Sequence, residues 1–288
     1  MKVAAIQQSC VGEVVANLKC AFALVEEAAD LGARLVVLPE LFAYLFFPKG
    51  WDHTAFELAQ PVDGDIVTRC RNVASARSIW LVVPFFERDR DQDRYFNSLV
   101  LLDPRGALVG IYRKLHVPLT SNNYERRYFS PGNLGVLVHD VEGLRVGFGI
   151  CYDRHFPELA RACVSRGAQL LVYPSSSLRT PERDGVGNRC PAWEATFVTR
   201  AVDNAAYVLT ASRAGVEDDV PYIGRSLAVD PAGAICGTLA DEEAAVLVID
   251  VDTRAVDVRR KAWRVLEETR PDLLEEILQS LPGRLPRS

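Results

Sequence analysis

Leu31-Gly32-Ala33-Arg34-Leu35-Val36-Val37-Leu38-Pro39 has a second version further along the chain, Arg166-Gly167-Ala168-Gln169-Leu170-Leu171-Val172-Tyr173-Pro174. In each, a glycine ends a helical stretch and a short apolar run reads as a strand buried on both faces. Proline then stops the run, because it cannot donate to a central ladder. Each copy follows an amphipathic helix, and before that an apolar strand: Val3–Gln7 in one case, Leu144–Ile150 in the other. The pattern predicts two pseudo-equivalent βαβ halves. The alternative is that any α/β chain reuses Gly-Ala-x-Leu at its helix-to-strand junctions.

Working outward, the helix-then-strand pattern recurs. Asn17 can cap a helix that Gly32 ends, a helix-like stretch from Asp65 to Arg77 precedes Ile79–Pro84, and one from about Trp193 precedes Ala205–Thr210. Between the halves lie hairpin signals. Phe96–Leu102 and Ala107–Tyr112 flank the turn Asp103-Pro104-Arg105-Gly106, and strands near Arg225–Val229 and Ala245–Val251 flank Asp230-Pro231-Ala232-Gly233. Helix-covered sheets with hairpin edges predict an α/β fold of four layers, an αββα sandwich. No low-complexity linker interrupts the chain, so residues 1–270 read as a single domain. The tail, 271–288, reads as a helix (Asp272–Gln279) and a proline-containing end placed on the surface or on a partner subunit.

Composition narrows the function classes. Of 288 residues, 33 are Lys or Arg and 38 Asp or Glu, giving a net charge of −5. No basic stripe is present, so nucleic acid is not an expected partner. The seven cysteines are scattered and odd in number, which argues against a disulfide framework and for a reducing, cytoplasmic setting. None of the four histidines stands at zinc-ligand spacing to a cysteine pair, so neither metal nor cofactor is expected. No uncharged run approaches the roughly 18 residues of a membrane span.

Three segments place a reactive side chain just past a strand, where open α/β folds build their sites. They are Leu38-Pro39-Glu40, then Tyr112-Arg113-Lys114-Leu115-His116, then Gly149-Ile150-Cys151-Tyr152-Asp153. Singly, each has a plain reading: a core thiol, a helix-capping glutamate, a surface lysine. Together they supply what hydrolysis of an amide requires. A free thiol is only about a few per cent thiolate at neutral pH, so it needs a base. That base later protonates the departing amine, and a cation stabilises the tetrahedral oxyanion.

These motifs, in this order and with Pro157-Glu158 downstream, resemble the three signatures of the nitrilase superfamily of carbon–nitrogen hydrolases. The likeness runs from Lys2-Val3-Ala4-Ala5-Ile6-Gln7 to Arg270-Pro271-Asp272. It implies the αββα sandwich, a homodimer or larger homo-oligomer, and specific roles. Cys151 would be the nucleophile of an acyl-enzyme, Glu40 the general base and acid, and Lys114 the oxyanion cation, joined by the backbone N–H of Tyr152. Glu125, in Tyr124-Glu125-Arg126-Arg127, would be the second glutamate beside the lysine; the alternative is a loop salt bridge with Arg126 or Arg127. His116 would orient the lysine loop.

Tyr152 and Asp153 stand where nitrilases carry tryptophan and glutamate, which points to amide or ureido cleavage. The segment Cys151–Glu158 is similar to that of N-carbamoyl amino acid hydrolases, which implies that Arg154 binds a substrate carboxylate. Guanidinium suits that task because it binds carboxylate bidentately and stays charged. The alternative is a structural pairing with Asp153, Glu158 or another carboxylate. Arg179, Arg183 and Arg189, in the loop between Ser175 and Pro191, are further candidates to meet an anion. The rival functions are an ω-amidase or aliphatic amidase acting on a terminal carboxamide, and a catalytically silent scaffold.

Overall fold

A computed structural model describes residues 1–91, 93–120, 123–179, 191–240 and 242–273. The candidate anion contacts Arg183 and Arg189, and the tail beyond 273, lie outside these residues. The first half runs β1 (Lys2–Gln7), α1 (Val14–Asp30), β2 (Leu35–Val37), α2 (Asp65–Arg77), β3 (Trp80–Asp89), β4 (Arg94–Leu102) and β5 (Leu108–Arg113). The second runs β6 (Val138–Val141), β7 (Leu144–Phe148), α3 (Pro157–Ser165), β8 (Leu170–Ser175), α4 (Pro191–Asn204) and β9 (Tyr207–Ser212). A small ribbon of β10 (Val216–Glu217) and β11 (Val220–Pro221) follows, then β12 (Leu227–Val229), β13 (Ile235–Thr238), β14 (Ala245–Asp250) and α5 (Thr253–Ala262).

Among the described residues the strands form two six-stranded sheets, ordered β14-β1-β2-β3-β4-β5 and β13-β12-β9-β8-β7-β6. Read from β14 in one and β6 in the other, strand polarity is identical at every step. An antiparallel edge is followed by three parallel strands and two antiparallel ones. The repeat extends to single bonds. Ala33 N donates to Ala28 O and Arg34 N to Lys2 O; in the second half Ala168 N donates to Cys163 O and Gln169 N to Arg145 O. Gly32 and Gly167 hold matching left-handed conformations, φ 88° and 92°, which only glycine adopts without strain.

Alternation within β1 assigns the layers. Val3 and Ala5 join the core between the two sheets, with Val146, Phe148 and Val172 across from them. Ala4 and Ile6 face the other way, into the core under α1 and α2. On the far side, Leu159 and Cys163 of α3 and Phe197 of α4 cover the second sheet. The architecture is the expected mixed α/β sandwich of two sheets with helices outside. Each fully buried Val or Leu in these layers contributes about 1.5–3 kcal/mol.

Two local expectations change. Helix α1 begins at Val14, and Asn17 does not cap it. Asn17 is buried; its side chain accepts from Val11 N and donates to Val11 O and Ala43 O, pinning the loop before the helix. The turn at Asp230–Gly233 joins β12 to the short strand β13, not to Ala245–Val251. Strand β14 instead crosses to the other sheet and pairs with β1. Three of the four residues of β13 are exposed, so it lacks the apolar signal that β14 carries.

Strand direction gathers the reactive residues. β5 is antiparallel to β4, which is antiparallel to β3, so β5 runs with β1, β2 and β3. The chain therefore leaves β2 and β5 at the same end of the sheet, toward Glu40 and toward Lys114.

Candidate active site

After Pro39 the backbone turns through Leu41, which holds a left-handed φ of 51°. For a leucine this conformation costs about 1–3 kcal/mol and needs outside support. That support comes from the other half of the molecule. Ser176 Oγ donates to Glu40 O at 2.7 Å, and Arg213 Nη2 donates to Glu40 O at 3.3 Å and Leu41 O at 2.9 Å. Arg213 is itself fixed by Glu217, with Nη1 at 2.6 and 2.9 Å from the two carboxylate oxygens. Both side chains are fully buried.

The turn points the Glu40 carboxylate into a buried polar cluster. Glu40 Oε1 accepts from Lys114 Nζ and from Asn97 Nδ2, each at 2.7 Å. Glu40 Oε2 is buried with no hydrogen-bond partner among the described residues. A free acceptor on an otherwise anchored carboxylate is what a base needs. Lys114 Nζ also donates to Glu125 Oε2 at 2.7 Å, so the ammonium is clamped between two carboxylates. Glu125 opens a short turn, Glu125–Arg127, and its other oxygen accepts from Asn123 Nδ2 at 3.2 Å. The loop salt bridge does not form: Arg126 donates to Val117 O, and Arg127 lies over the Trp51 and Tyr124 rings.

Cys151 is the first residue of a turn spanning Cys151–His155 and adopts φ 43°, a second strained non-glycine position. Gly149 permits the approach, since a Cβ there would lie 2.7 Å from the Tyr173 ring. Asp153 anchors the turn. Its Oδ2 accepts from Ile150 N at 2.9 Å and Tyr112 Oη at 2.7 Å; its Oδ1 accepts from His116 N at 3.0 Å and contacts His116 Nδ1 at 2.8 Å. The His116 ring stacks on Phe156 at 3.5 Å. Thus His116 meets the cysteine turn and does not join the lysine clamp. Tyr152 is half-buried, its ring packed against those of His155 and Phe156.

Among the described residues, the sulfur of Cys151 has two polar neighbours, Ser177 Oγ at 3.5 Å and Arg154 Nη1 at 3.4 Å. Arg154 is only 4% exposed. Its Nη1 also donates to Cys151 O at 2.9 Å, and its guanidinium lies over the Trp193 and Phe197 rings at 4.8 and 5.9 Å. It is packed beneath the cysteine, and it forms no ion pair with Asp153 or Glu158.

Electrostatics follow from burial. Burial pushes the Cys151 thiol up, and the Glu40 anion adds to this, while Arg154 and Lys114 pull it down. The balance leaves the thiol above its ordinary range. Burial opposes the charge on Lys114, but Glu125 and Glu40 outweigh it and hold the ammonium above its ordinary range. Burial lifts the Glu125 carboxyl to about 6 against the pull of Lys114. Among the described residues no group of His, Cys, Asp and Glu is arranged to hold a metal ion.

Sequence motifs did not mark Asn97, Ser177 or Arg213 as site residues. Asn97 carries a faint signal, a polar residue inside the apolar strand β4. Arg213 stands one residue past β9, as Lys114 stands one past β5.

A two-sheet fold with a thiol, a clamped ammonium and a buried carboxylate at one end is that of a hydrolase working on carbonyl–nitrogen bonds. The chain belongs to the carbon–nitrogen hydrolase family, whose model matches residues 2–261. It is similar to an N-carbamoylputrescine amidase of Solanum lycopersicum, 31% identical over 99% of this chain and 96% of that protein. The omega-amidase NIT2 of Mus musculus is 35% identical over 89% of this chain and 90% of its own length. Among solved structures, a carbon–nitrogen hydrolase from Helicobacter pylori superposes with a TM-score of 0.90 at 26% identity, covering 96% of this chain and 98% of that one. The protein is accordingly an amide-hydrolysing enzyme of the nitrilase superfamily.

Proposed function

We propose that this enzyme hydrolyses the carbamoyl C–N bond of a ureido compound, foremost an N-carbamoyl amino acid, with Cys151 as nucleophile. The observation that carries the reading is the clamp on Lys114, which sets its ammonium between Glu40 and Glu125 with the free Glu40 oxygen beside it. Glu40 takes the thiol proton and the sulfur attacks the carbonyl carbon. Lys114 and the Tyr152 N–H meet the oxyanion. Glu40 then returns the proton to the departing nitrogen as ammonia leaves. Glu40 next takes a proton from water, which cleaves the thioester and regenerates the thiol. The resulting carbamic acid loses carbon dioxide, so urea derivative plus water becomes amine, ammonia and carbon dioxide.

The ureido preference draws on Tyr152 and Asp153 after the nucleophile and on the similarity to an N-carbamoylputrescine amidase. A second reading, cleavage of a terminal carboxamide, draws on the 35% identity to an omega-amidase. Purified enzyme incubated with N-carbamoyl-β-alanine, other N-carbamoyl amines and a panel of terminal amides separates them. Ammonia with matching carbon dioxide supports the ureido reading; ammonia from carboxamides alone overturns it. The proposal includes one catalytic domain over 1–270, a homodimer and a cytoplasmic setting, with light scattering as the test of the dimer. No helix among the described residues is long and apolar enough to cross a membrane.

A further inference from the structure

Arg154 lies in an unusual place for a residue meant only to greet a substrate. Its guanidinium is buried, held over two aromatic rings, and donates from one nitrogen to both the carbonyl oxygen and the sulfur of Cys151. On the sulfur's other contact stands Ser177, also buried, at hydrogen-bond distance. The lysine across the site is committed to two carboxylates. Of the two cations among the described residues that act on the sulfur, Arg154 is the one within hydrogen-bond reach of it.

We propose that Arg154 is a catalytic residue that stabilises the Cys151 thiolate, with Ser177 as its hydroxyl partner and with Trp193 and Phe197 holding the guanidinium in place. The anion forms twice per turnover. It forms first when Glu40 takes the thiol proton and the sulfur pair becomes free to attack. It forms again when the tetrahedral adduct of water and thioester collapses, the C–S bond breaks and its electron pair returns to sulfur. A fixed cation at 3.4 Å favours both events without accepting or giving a proton. The bond from Nη1 to Cys151 O has a second effect, because it holds the strained φ of 43° that aims the sulfur. This role rests on Cys151 being the nucleophile, and it is independent of which amide is cleaved.

The test uses intact enzyme and no substrate. The rate of Cys151 alkylation by iodoacetamide, resolved by peptide mass spectrometry, is followed against pH in wild type, Arg154→Met, Arg154→Lys and Ser177→Ala. Met keeps the packing against Trp193 and removes the charge; Lys keeps a charge. The expected result is a profile shifted to higher pH in Arg154→Met. At neutral pH the rate should fall about tenfold or more, one unit of thiol pKa being tenfold in thiolate below it. Arg154→Lys should recover part of the rate, and Ser177→Ala should lose less than Arg154→Met. In turnover, Arg154→Met should lose kcat equally on carboxylated and uncharged substrates. An unchanged alkylation profile, with a raised KM confined to carboxylated substrates, would overturn the proposal and return Arg154 to carboxylate binding. If Arg154→Met melts early, the Arg154→Lys profile decides: a profile within a few-fold of wild type at neutral pH supports the role of charge, and one slowed about tenfold or more counts against it. Loss of turnover in Cys151→Ala tests the nucleophile separately.

Discussion

Tyr112 Oη donates to Asp153 Oδ2 at 2.7 Å, and this bond joins one sheet to the other. Tyr112 is the last residue but one of β5, two residues before Lys114; Asp153 lies two residues after Cys151. A single carboxylate thus fixes the distance between the lysine strand and the Cys151 turn. It is fully buried and also accepts from the Ile150 and His116 amides.

Asp153→Asn should therefore harm rate and stability together. An amide has one acceptor oxygen in place of two, so it cannot keep the donors on both Oδ1 and Oδ2, and each buried donor left unpaired costs about 1–3 kcal/mol. Urea denaturation should show a loss of that order or more. The activity of the folded fraction should fall with kcat affected more than KM. Activity and unfolding midpoint both at wild-type values would contradict the positioning role.

Lys114→Met leaves Glu40 and Glu125 facing each other in a buried site without their cation. Two close carboxylates do not both ionise, so one takes up a proton at neutral pH. On the proposed mechanism the oxyanion cation is lost, and the proton shared by the two carboxylates competes with Glu40 as base. Turnover should fall by roughly 10³-fold or more, removal of a single oxyanion donor alone costing about 10²–10³. Ammonia release within tenfold of wild type would remove Lys114 from the mechanism.

The pH dependence follows from Glu125. Its carboxyl is raised from an ordinary 4.5 to about 6 by burial, against the pull of Lys114. Between those values the folded enzyme binds more protons than the unfolded chain. The Glu125 contribution therefore lowers stability as pH rises from 4.5 to about 6, and is constant above. Activity moves the opposite way, because the ionised form clamps Lys114. The kcat/KM profile should carry an acid limb near pH 6, flattened in Glu125→Gln, which should be slower at every pH. A wild-type acid limb surviving unchanged in Glu125→Gln would assign it to another group.

The Arg213–Glu217 pair gives a stability prediction. Glu217→Ala leaves the fully buried guanidinium without its anion, which costs about 3–5 kcal/mol. Replacing both, as Arg213→Met with Glu217→Leu, should recover much of that in urea denaturation but not the activity. The Leu41 turn that aims Glu40 would still lack its two bonds from Arg213. Full activity in the double variant would show that the turn holds itself.

The elements were legible wherever local chemistry set them. Helix α2 matches the stretch from Asp65 to Arg77, and α3 is the helix expected before the second Gly-Ala-x-Leu run. The duplicated Gly-Ala-x-Leu run marked equivalent junctions in both sheets. The path of β14 was not legible, because a strand's partner depends on the whole chain and not on its own pattern. Asn97 was equally hidden: its register opposite Phe86 and its reach to Glu40 depend on how β3, β4 and β5 pair.

Taken alone, the amino-acid order singled out the groups proposed to carry the chemistry, because Glu40, Lys114 and Cys151 each follow a strand-ending signal written in neighbouring residues. It determined the layers too, since two-faced apolar strands and amphipathic helices bury themselves in few ways. The tertiary structure alone decided what each group meets: Glu40 held by Arg213 from the other half, Asp153 spanning the sheets, Arg154 turned under the sulfur. The reason is range. Helix and strand preferences act over a few residues, whereas a hydrogen bond in a buried site acts over a few ångströms, and folding alone brings distant residues that close.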